Sequence, residues 1–211
     1  RVGEITLALN GVLFLDEVGE FEGKTLETLR QPLEDGKIVI SRANFTMTYP
    51  VKSITITASN PTPSGYFPDN PLCHDSPLDI KRYQKKFSGP LLDRMDLYVE
   101  MRQLKKEELF CETLSEKSEV IQRRVIKARE IQKKRFKSNM LNYAMTKRQI
   151  NKYCKIDKKT QEIMKEAVDN LKLSARMFDK LLKVSRTIAD LAGEENIKKE
   201  HLLEALNYRK K

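Results

Sequence analysis

Two neighbouring groups of residues within GVLFLDEVGEFEGKTLETLRQ, residues 11–31, have the chemistry to act on a phosphate. Asp16 and Glu17, called the acidic pair below, follow an apolar run, and Gly23-Lys24-Thr25 has the composition of the end of a phosphate-binding loop. Such a loop needs Gly, four residues and then Gly-Lys-Ser/Thr, so that successive backbone N–H groups surround the phosphates. Val18 occupies the position of the first glycine, and the interval contains two glutamates that would repel a polyphosphate. We therefore predict that Lys24 and Thr25 open a helix instead.

The acidic pair fits the other half of the same kind of site. Residues 11–15 form a short apolar run, which is typical of a strand buried on both faces of a parallel sheet. In open α/β sheets, ligands bind beyond the carboxyl ends of the strands. A nucleotide-hydrolysing site needs one carboxylate there to hold Mg²⁺ and a second to polarise the attacking water. The acidic pair meets that requirement, although a solvated strand end explains the same residues equally well.

Composition divides the chain into an acidic and a basic part. The 211 residues carry a net charge of +10, with 14 Lys and Arg against 17 Asp and Glu in residues 1–114, and 26 against 13 in residues 115–211. This asymmetry predicts two structural units and contact with a polyanion, although basic helix surfaces are often simply solvated. Three widely spaced cysteines argue against a disulfide framework and for a reducing cytoplasm. We find no apolar run long enough for a membrane span.

The elements expected to position these residues change type along the chain. Residues 37–40 and 45–49 alternate in polarity around Ser41-Arg42-Ala43-Asn44, which predicts a β-hairpin with a basic tip. Residues 53–58 are a further core strand, and residues 61–78, with five prolines, are a loop.

From Ser115 onward the sequence predicts only helices. A charged helix lies between Glu116 and Lys137, and another follows its cap Ser174 and ends at Gly193. Their apolar stripes are Ile121, Val125, Ala128 and Ile131 in the first, and Met177, Leu181, Val184, Ile188 and Leu191 in the second. Asp157 and Asn196 are predicted as the caps of the helices before and after the second.

Several stretches, in order along nearly the whole chain, resemble the magnesium-chelatase-like AAA+ ATPases, specifically the subfamily that includes ComM. They are GEITLALNGVLFLDEV, LRQPLEDGKIVISRANFTMTYP, ITASNP, SGPLLDRMDL, LSARMFDKLLKVSRTIADLAG and HLLEALNYR. The resemblance implies an α/β fold. Residues 1–114 would be the C-terminal part of an AAA+ P-loop NTPase core, with parallel strands and a β-hairpin insert, and residues 115–211 an all-α lid domain.

The resemblance also implies roles for single residues. Asp16 corresponds to the Walker B aspartate that binds Mg²⁺ through water, and Glu17 to the catalytic base. Asn60 is similar to sensor 1, which orients the attacking water, and Arg94 to the arginine finger that reaches a neighbouring subunit's ATP. Arg176 is similar to sensor 2. Each has a purely structural alternative: a turn residue for Asn60, an ion pair with Asp93 or Asp96 for Arg94, and a solvated cation for Arg176.

The chain departs from the family pattern in two places. The Walker A loop, which would precede Arg1, is absent, so we expect the chain to be an excerpt that does not hydrolyse ATP alone. Relatives often carry four cysteines in the loop after sensor 1, where this chain has Thr62, Ser64, Cys73 and Asp75. One thiolate and one carboxylate do not form a closed tetrahedral zinc site, so we predict no zinc, with neighbouring His74 a surface residue.

The function implied is an ATP-driven homo-oligomeric ring, a hexamer, that acts on DNA as a helicase or branch-migration factor in the cytoplasm. Lys37 and Arg42 of the hairpin are candidate phosphate contacts if the hairpin projects into the pore, while a plain sheet extension is the alternative. Further DNA-contact candidates on the first long helix are Arg123, Arg124, Lys127, Lys134 and Lys137. Two other functions compete: a chelatase-type ATPase subunit that drives metal insertion through a partner, and a non-catalytic basic helical module that binds nucleic acid or protein.

Overall fold

The computed structural model describes residues 3–42, 45–101, 104, 110 and 115–209. The chain forms two compact units, which span residues 1–95 and 96–211. Unit 1 mixes strands with short helices, and the elements of unit 2 are helical. None of the helices in this described part of the chain combines the length and the apolar character that a membrane span requires.

The described residues of unit 1 form two separate two-stranded sheets. Strands β1 (Val12–Leu15) and β4 (Ile54–Thr57) pair in parallel. Strands β2 (Lys37–Arg42) and β3 (Phe45–Pro50) form the predicted antiparallel hairpin, in which Arg42 pairs with Phe45 at the far end. The predicted tip residues Ala43 and Asn44 lie outside the described residues. Parallel strands need a long connection, and the β2–β3 hairpin lies within the one that joins β1 to β4.

The parallel sheet is covered on one face, whereas the sequence predicts burial on both. Leu13 is buried and Leu15 half-buried, but Val12 and Phe14 are 55% and 58% exposed. Their neighbours on β4, Ile54 and Ile56, are also exposed. The prediction of a doubly buried strand is therefore wrong for this structure, because side chains alternate between the faces of a strand and only one face packs against helices.

Short helices form the apolar core of unit 1 beside this sheet. They are α1 (Glu4–Leu7), α2 (Gly23–Thr28), α3 (Arg30–Asp35), α4 (Pro77–Lys85) and α5 (Gly89–Leu92). Leu26 and Leu29 pack with Val18 and Leu91 in one buried cluster. The predicted helix at Lys24 is confirmed as α2, which leaves Lys24 exposed.

Within its described residues, unit 2 has five α-helices around a second core. They are α6 (Ser118–Phe136), α7 (Lys147–Tyr153), α8 (Lys158–Leu171), α9 (Ala175–Leu191) and α10 (Lys199–Asn207). The caps Asp157 and Ser174 are confirmed, since their side chains accept the N–H groups of Thr160 and Met177.

Two helix ends show how local residues set the bounds. Gly193, at φ +74°, follows the end of α9, and its N–H donates to the Asp190 carbonyl at 3.1 Å. The prediction of Asn196 as the next cap is wrong, because α10 begins later, with Lys198 at the cap position. There the ring nitrogen Nδ1 of His201, three residues into the helix, accepts the backbone N–H of Lys198 at 3.1 Å, which is the bond that the third helical residue of a capping box makes to the cap residue.

A buried polar cluster joins α6, α9 and the segment between them. The Asp190 carboxylate accepts from Arg135, from the Arg186 Nε at 3.1 Å and from the Asn142 amide at 2.8 Å. Asp190 and Arg186 are 1% and 2% exposed. Arg186 also donates to the carbonyl of Glu195 at 2.6 Å. Each buried charge thus has both an opposite charge and hydrogen-bond partners, which buried ion pairs require to be tolerated.

Candidate active site and nucleic-acid interface

The parallel sheet brings the acidic pair and Asn60 to the same sheet edge. The Ala58 N–H donates to the Leu15 carbonyl at 2.9 Å, and the Val18 N–H donates to the Ala58 carbonyl at 2.9 Å. The segments that leave β1 and β4 therefore run side by side, one carrying the acidic pair and the other Asn60. Both carboxylates and Asn60 are exposed, so a ligand can reach them.

The backbone at the acidic pair has an uncommon conformation. Glu17 has φ 46° and ψ 40°, in the left-handed region. A residue with a Cβ in this region costs roughly 1 kcal/mol, and such residues cluster at functional sites. The Asp16 carboxylate accepts the Glu17 N–H at 2.9 Å and supports the turn. The chain thus changes direction sharply where the two carboxylates leave the sheet.

The donor set at this edge suits magnesium with a nucleotide. Magnesium prefers oxygen ligands and usually keeps several waters while binding one or two carboxylates. The exposed carboxylates of Asp16 and Glu17 fit that requirement, and the Asn60 amide adds a neutral hydrogen-bonding group. Among the residues that the structure describes, no three His, Cys, Asp or Glu side chains group together as a metal-ion cluster.

Arg94 lies just after α5 and is held within unit 1. Its guanidinium group forms an ion pair with Glu34 of α3 and donates to the Pro90 carbonyl. The Arg94 side chain is only 12% exposed. The partner is thus neither Asp93 nor Asp96, as the sequence suggested for a structural role. Glu34 was not identified from the sequence, because the two residues are 60 positions apart.

Arg176 lies in the first turn of α9 in unit 2 and is exposed. It belongs to a different unit from the acidic pair and Asn60. Its role as sensor 2 therefore stays a prediction.

The hairpin separates its two candidate cations. Lys37 is exposed and pairs with Pro50 at the base of the hairpin, whereas Arg42 pairs with Phe45 at the far end. The two residues lie five positions apart on β2, which corresponds to roughly 16 Å. Several apolar side chains of the hairpin are exposed: Val39, Ile40, Phe45 and Met47. Sequence analysis identified the cations but not this apolar surface.

Helix α6 carries the predicted basic surface at its solvent side. The five cations named for it, Arg123, Arg124, Lys127, Lys134 and Lys137, are all exposed, although Arg124 is paired with Glu116 at 2.8 Å. The predicted apolar stripe is only partly covered. Ala128 is buried, but Ile121 and Val125 are 43% and 42% exposed. Burial of α6 thus begins near Ala128, and the side chains of residues 118–127 before it are exposed.

In the loop after Asn60, hydrogen bonds join the residues that stand where relatives often carry four cysteines. The Ser64 hydroxyl donates to the Asp75 carboxylate at 2.6 Å, and the Thr62 hydroxyl, fully buried, donates to the Tyr66 carbonyl at 2.7 Å. The Cys73 sulfur lies 3.7 Å from the same carboxylate. Hydrogen bonds from Ser64, Thr62 and Cys73 hold the pKa of Asp75 below its usual value. The absence of zinc stays a prediction, as does the surface role of the exposed His74.

Comparison with known families decides the class of the protein. The family model "Magnesium chelatase, subunit ChlI" matches residues 1–109, and its companion for the ChlI C-terminal region matches residues 115–209. The chain belongs to the magnesium chelatase family.

Within this family, the chain is most usefully compared with ComM and YifB. It is 44% identical to competence protein ComM of Haemophilus influenzae over 212 residues, which cover 99% of this chain and 41% of ComM. It is 41% identical to YifB of Escherichia coli over 98% of this chain and 40% of YifB. A mycobacterial relative, from Mycobacterium tuberculosis, is 34% identical over 99% of this chain and 42% of the relative. The chain thus spans about two fifths of these relatives and belongs to the ComM/YifB group of magnesium-chelatase-like AAA+ proteins.

Proposed function

We propose that the whole protein containing this chain is an ATP-driven AAA+ motor that works on DNA as a hexameric ring. The observation that carries the proposal is the shared sheet edge. It holds two carboxylates on a left-handed turn beside an exposed amide, at the carboxyl ends of two paired parallel strands. That is where α/β proteins bind ligands.

Each residue at the edge has a distinct task in this proposal. Asp16 would hold the magnesium ion, and Glu17 would accept a proton from the attacking water. Asn60 donates or accepts a hydrogen bond that orients that water. When bound, magnesium neutralises negative charge that develops on the phosphates. Arg94 of the next subunit would add a planar cation at the transition state, and Arg176 stays the sensor 2 candidate that the resemblance implies.

The basic surface and the relatives support DNA as the polyanion. Exposed cations on α6, together with exposed Lys37 on the hairpin, can neutralise phosphates without reading sequence. The relative with a descriptive name is a competence protein. The family name supports a second candidate, a chelatase-type subunit that drives metal insertion through a partner. A third candidate is a non-catalytic basic module made by the helical unit.

The decisive experiment replaces Glu17 in the full-length protein. We expect Glu17→Gln to lower ATP turnover by at least 10²-fold, because a general base contributes roughly that much, while nucleotide binding is retained. Glu20→Gln is the matched control, since Glu20 is an exposed acid three positions away. Unchanged turnover in Glu17→Gln would contradict the assignment of the site.

Three further measurements separate the candidate functions. Stimulation of turnover by branched or single-stranded DNA supports the DNA motor, and turnover that responds only to a protein partner supports the chelatase-type function. DNA binding by residues 115–211 alone, with full affinity in the absence of ATP, supports the non-catalytic module.

A further inference from the structure

A single buried side chain, Tyr83 of α4, lies between the two segments that carry the proposed catalytic residues. It is 5% exposed. Its hydroxyl donates to the Asn60 carbonyl at 3.2 Å and lies 3.1 Å from the Ser59 hydroxyl. The Ser59 hydroxyl in turn lies 3.0 Å from the same Asn60 carbonyl. The three oxygen atoms thus form a small network around the backbone of Asn60.

The same ring also contacts the turn that follows the acidic pair. Gly19 is buried against Tyr83 so closely that a Cβ at Gly19 would lie 1.9 Å from the Tyr83 hydroxyl oxygen. Lys86, one turn further along, donates from Nζ to the Gly19 carbonyl at 2.7 Å and lies 5.6 Å from the centre of the Tyr83 ring. Tyr83 of α4 and Lys86, which directly follows the helix, therefore hold residues 18–20 in place, and a side chain at position 19 would have to displace the Tyr83 ring.

The far side of the ring is fixed as well. The Tyr83 and Phe87 rings meet edge to face, with centroids 5.9 Å apart, and Phe87 packs against the core of unit 1. The Ser76 hydroxyl caps the start of α4 by accepting the Asp79 N–H at 3.1 Å. Because α4 is anchored at its start and behind Tyr83, the phenol is a rigid support for both segments.

We propose that Tyr83 is a positioning residue for ATP hydrolysis, with Lys86 as its companion. Tyr83 sets the distance between the turn after Glu17 and the backbone of Asn60, and so keeps the base and the water-orienting amide in register. The inference rests on the proposed function of the sheet edge. It assigns no contact between Tyr83 and the nucleotide.

The test measures steady-state ATP hydrolysis by the full-length protein at 25 °C. Tyr83→Phe keeps the ring and removes the hydroxyl. We expect kcat to fall about fivefold, the loss that follows from one hydrogen bond, while the KM for ATP changes less than about twofold. Tyr143→Phe is the matched control, because Tyr143 is 66% exposed and belongs to the other unit. We expect it to hydrolyse ATP like the wild type.

A second pair of variants separates positioning from general stability. Lys86→Met removes the donor to the Gly19 carbonyl and keeps the length of the side chain, so it should reproduce the fall in kcat at constant KM. Ser59→Ala combined with Tyr83→Phe should lose no more activity than the less active of the two single variants, because both changes act on one network.

The outcomes distinguish this inference from the proposed function. An inactive Glu17→Gln protein together with unchanged kcat in both Tyr83→Phe and Lys86→Met would overturn only the positioning role. It would also be overturned if kcat and KM changed together in step with a lowered melting temperature, the result expected of damage to folding. A fully active Glu17→Gln protein would overturn both.

Discussion

At the residue scale, Arg94 combines an ion pair that the structure shows with a finger role that is proposed. In this structure its guanidinium group is paired with Glu34 of the same unit, whereas the proposed finger acts on the ATP of a neighbouring subunit. We expect Arg94→Ala in the full-length protein to lower ATP turnover by about 10³-fold, because arginine fingers contribute at least that much, and to leave nucleotide binding largely intact. Rates of hydrolysis and the affinity for a fluorescent ATP analogue measure the two effects.

Glu34→Gln is the control that separates the finger from the ion pair. If Arg94 acted only through its pair with Glu34, this variant would lose as much activity as Arg94→Ala. We expect it to retain turnover, because the guanidinium group stays available to a neighbour. Mixing Arg94→Ala with Glu17→Gln subunits should restore part of the activity at shared interfaces. Failure of rescue at every mixing ratio would count against a role across subunits.

At the scale of elements, α6 offers the clearest test of DNA binding. Arg123, Lys127 and Lys134 recur at helical spacing away from buried Ala128, and all three are exposed. Reversing them to Glu should weaken DNA binding and reduce the slope of log affinity against log salt by about three, since each lost phosphate contact removes about one. Binding of a labelled duplex over a series of salt concentrations gives the slope.

Three lysines of helix α8 allow a control variant with the same change in net charge as the α6 variant. Lys158, Lys159 and Lys165 are exposed there and were not identified as DNA contacts. Their reversal should alter affinity only slightly. Equal losses from the two helices would indicate a general charge effect, and no loss from α6 would refute its role.

The sequence best predicts the features that depend on residues a few positions apart, such as helix caps. Asp157 and Ser174 bond to N–H groups three residues ahead, so their caps were visible without a structure. The Asn196 prediction failed because the helix begins two residues later than the local signal indicated, after Lys198, whose N–H bonds to the ring of His201. The exposed faces of β1 and of the first turns of α6 could not be predicted either, because apolar spacing gives the side that can pack but not whether a partner covers it.

The residues of the candidate site also divide into those that follow from local sequence signals and those that only the fold brings together. Asp16, Glu17 and Asn60 follow predicted strands directly, so the sequence placed them at strand ends. The partners that hold the site, Tyr83 for Asn60 and Glu34 for Arg94, come from elements 23 and 60 residues away. Only the folded chain brings such residues together.

At the scale of the whole molecule, the 211-residue chain should bind ATP weakly or not at all. It contains no Gly-x-x-x-x-Gly-Lys-Ser/Thr sequence, and Lys24 is an exposed residue of a six-residue helix without a phosphate-binding loop before it. Titration of a fluorescent ATP analogue into this chain checks the expectation, with Lys24→Ala as the control. Saturable micromolar binding that disappears in Lys24→Ala would restore Gly23-Lys24-Thr25 as a phosphate-binding element.

The buried carboxylate of Asp190 limits how the helical unit can change over generations. It is shared by Arg135 and Arg186, so losing it alone would leave two cations without their anion, at a cost of roughly 3–5 kcal/mol. Replacing all three residues by apolar side chains of similar volume is often neutral or better. Here an apolar version would also have to satisfy the Asn142 amide and the Glu195 carbonyl, and each single step toward it leaves a buried charge unpaired. Descendants of this chain are expected to inherit the three residues as a block.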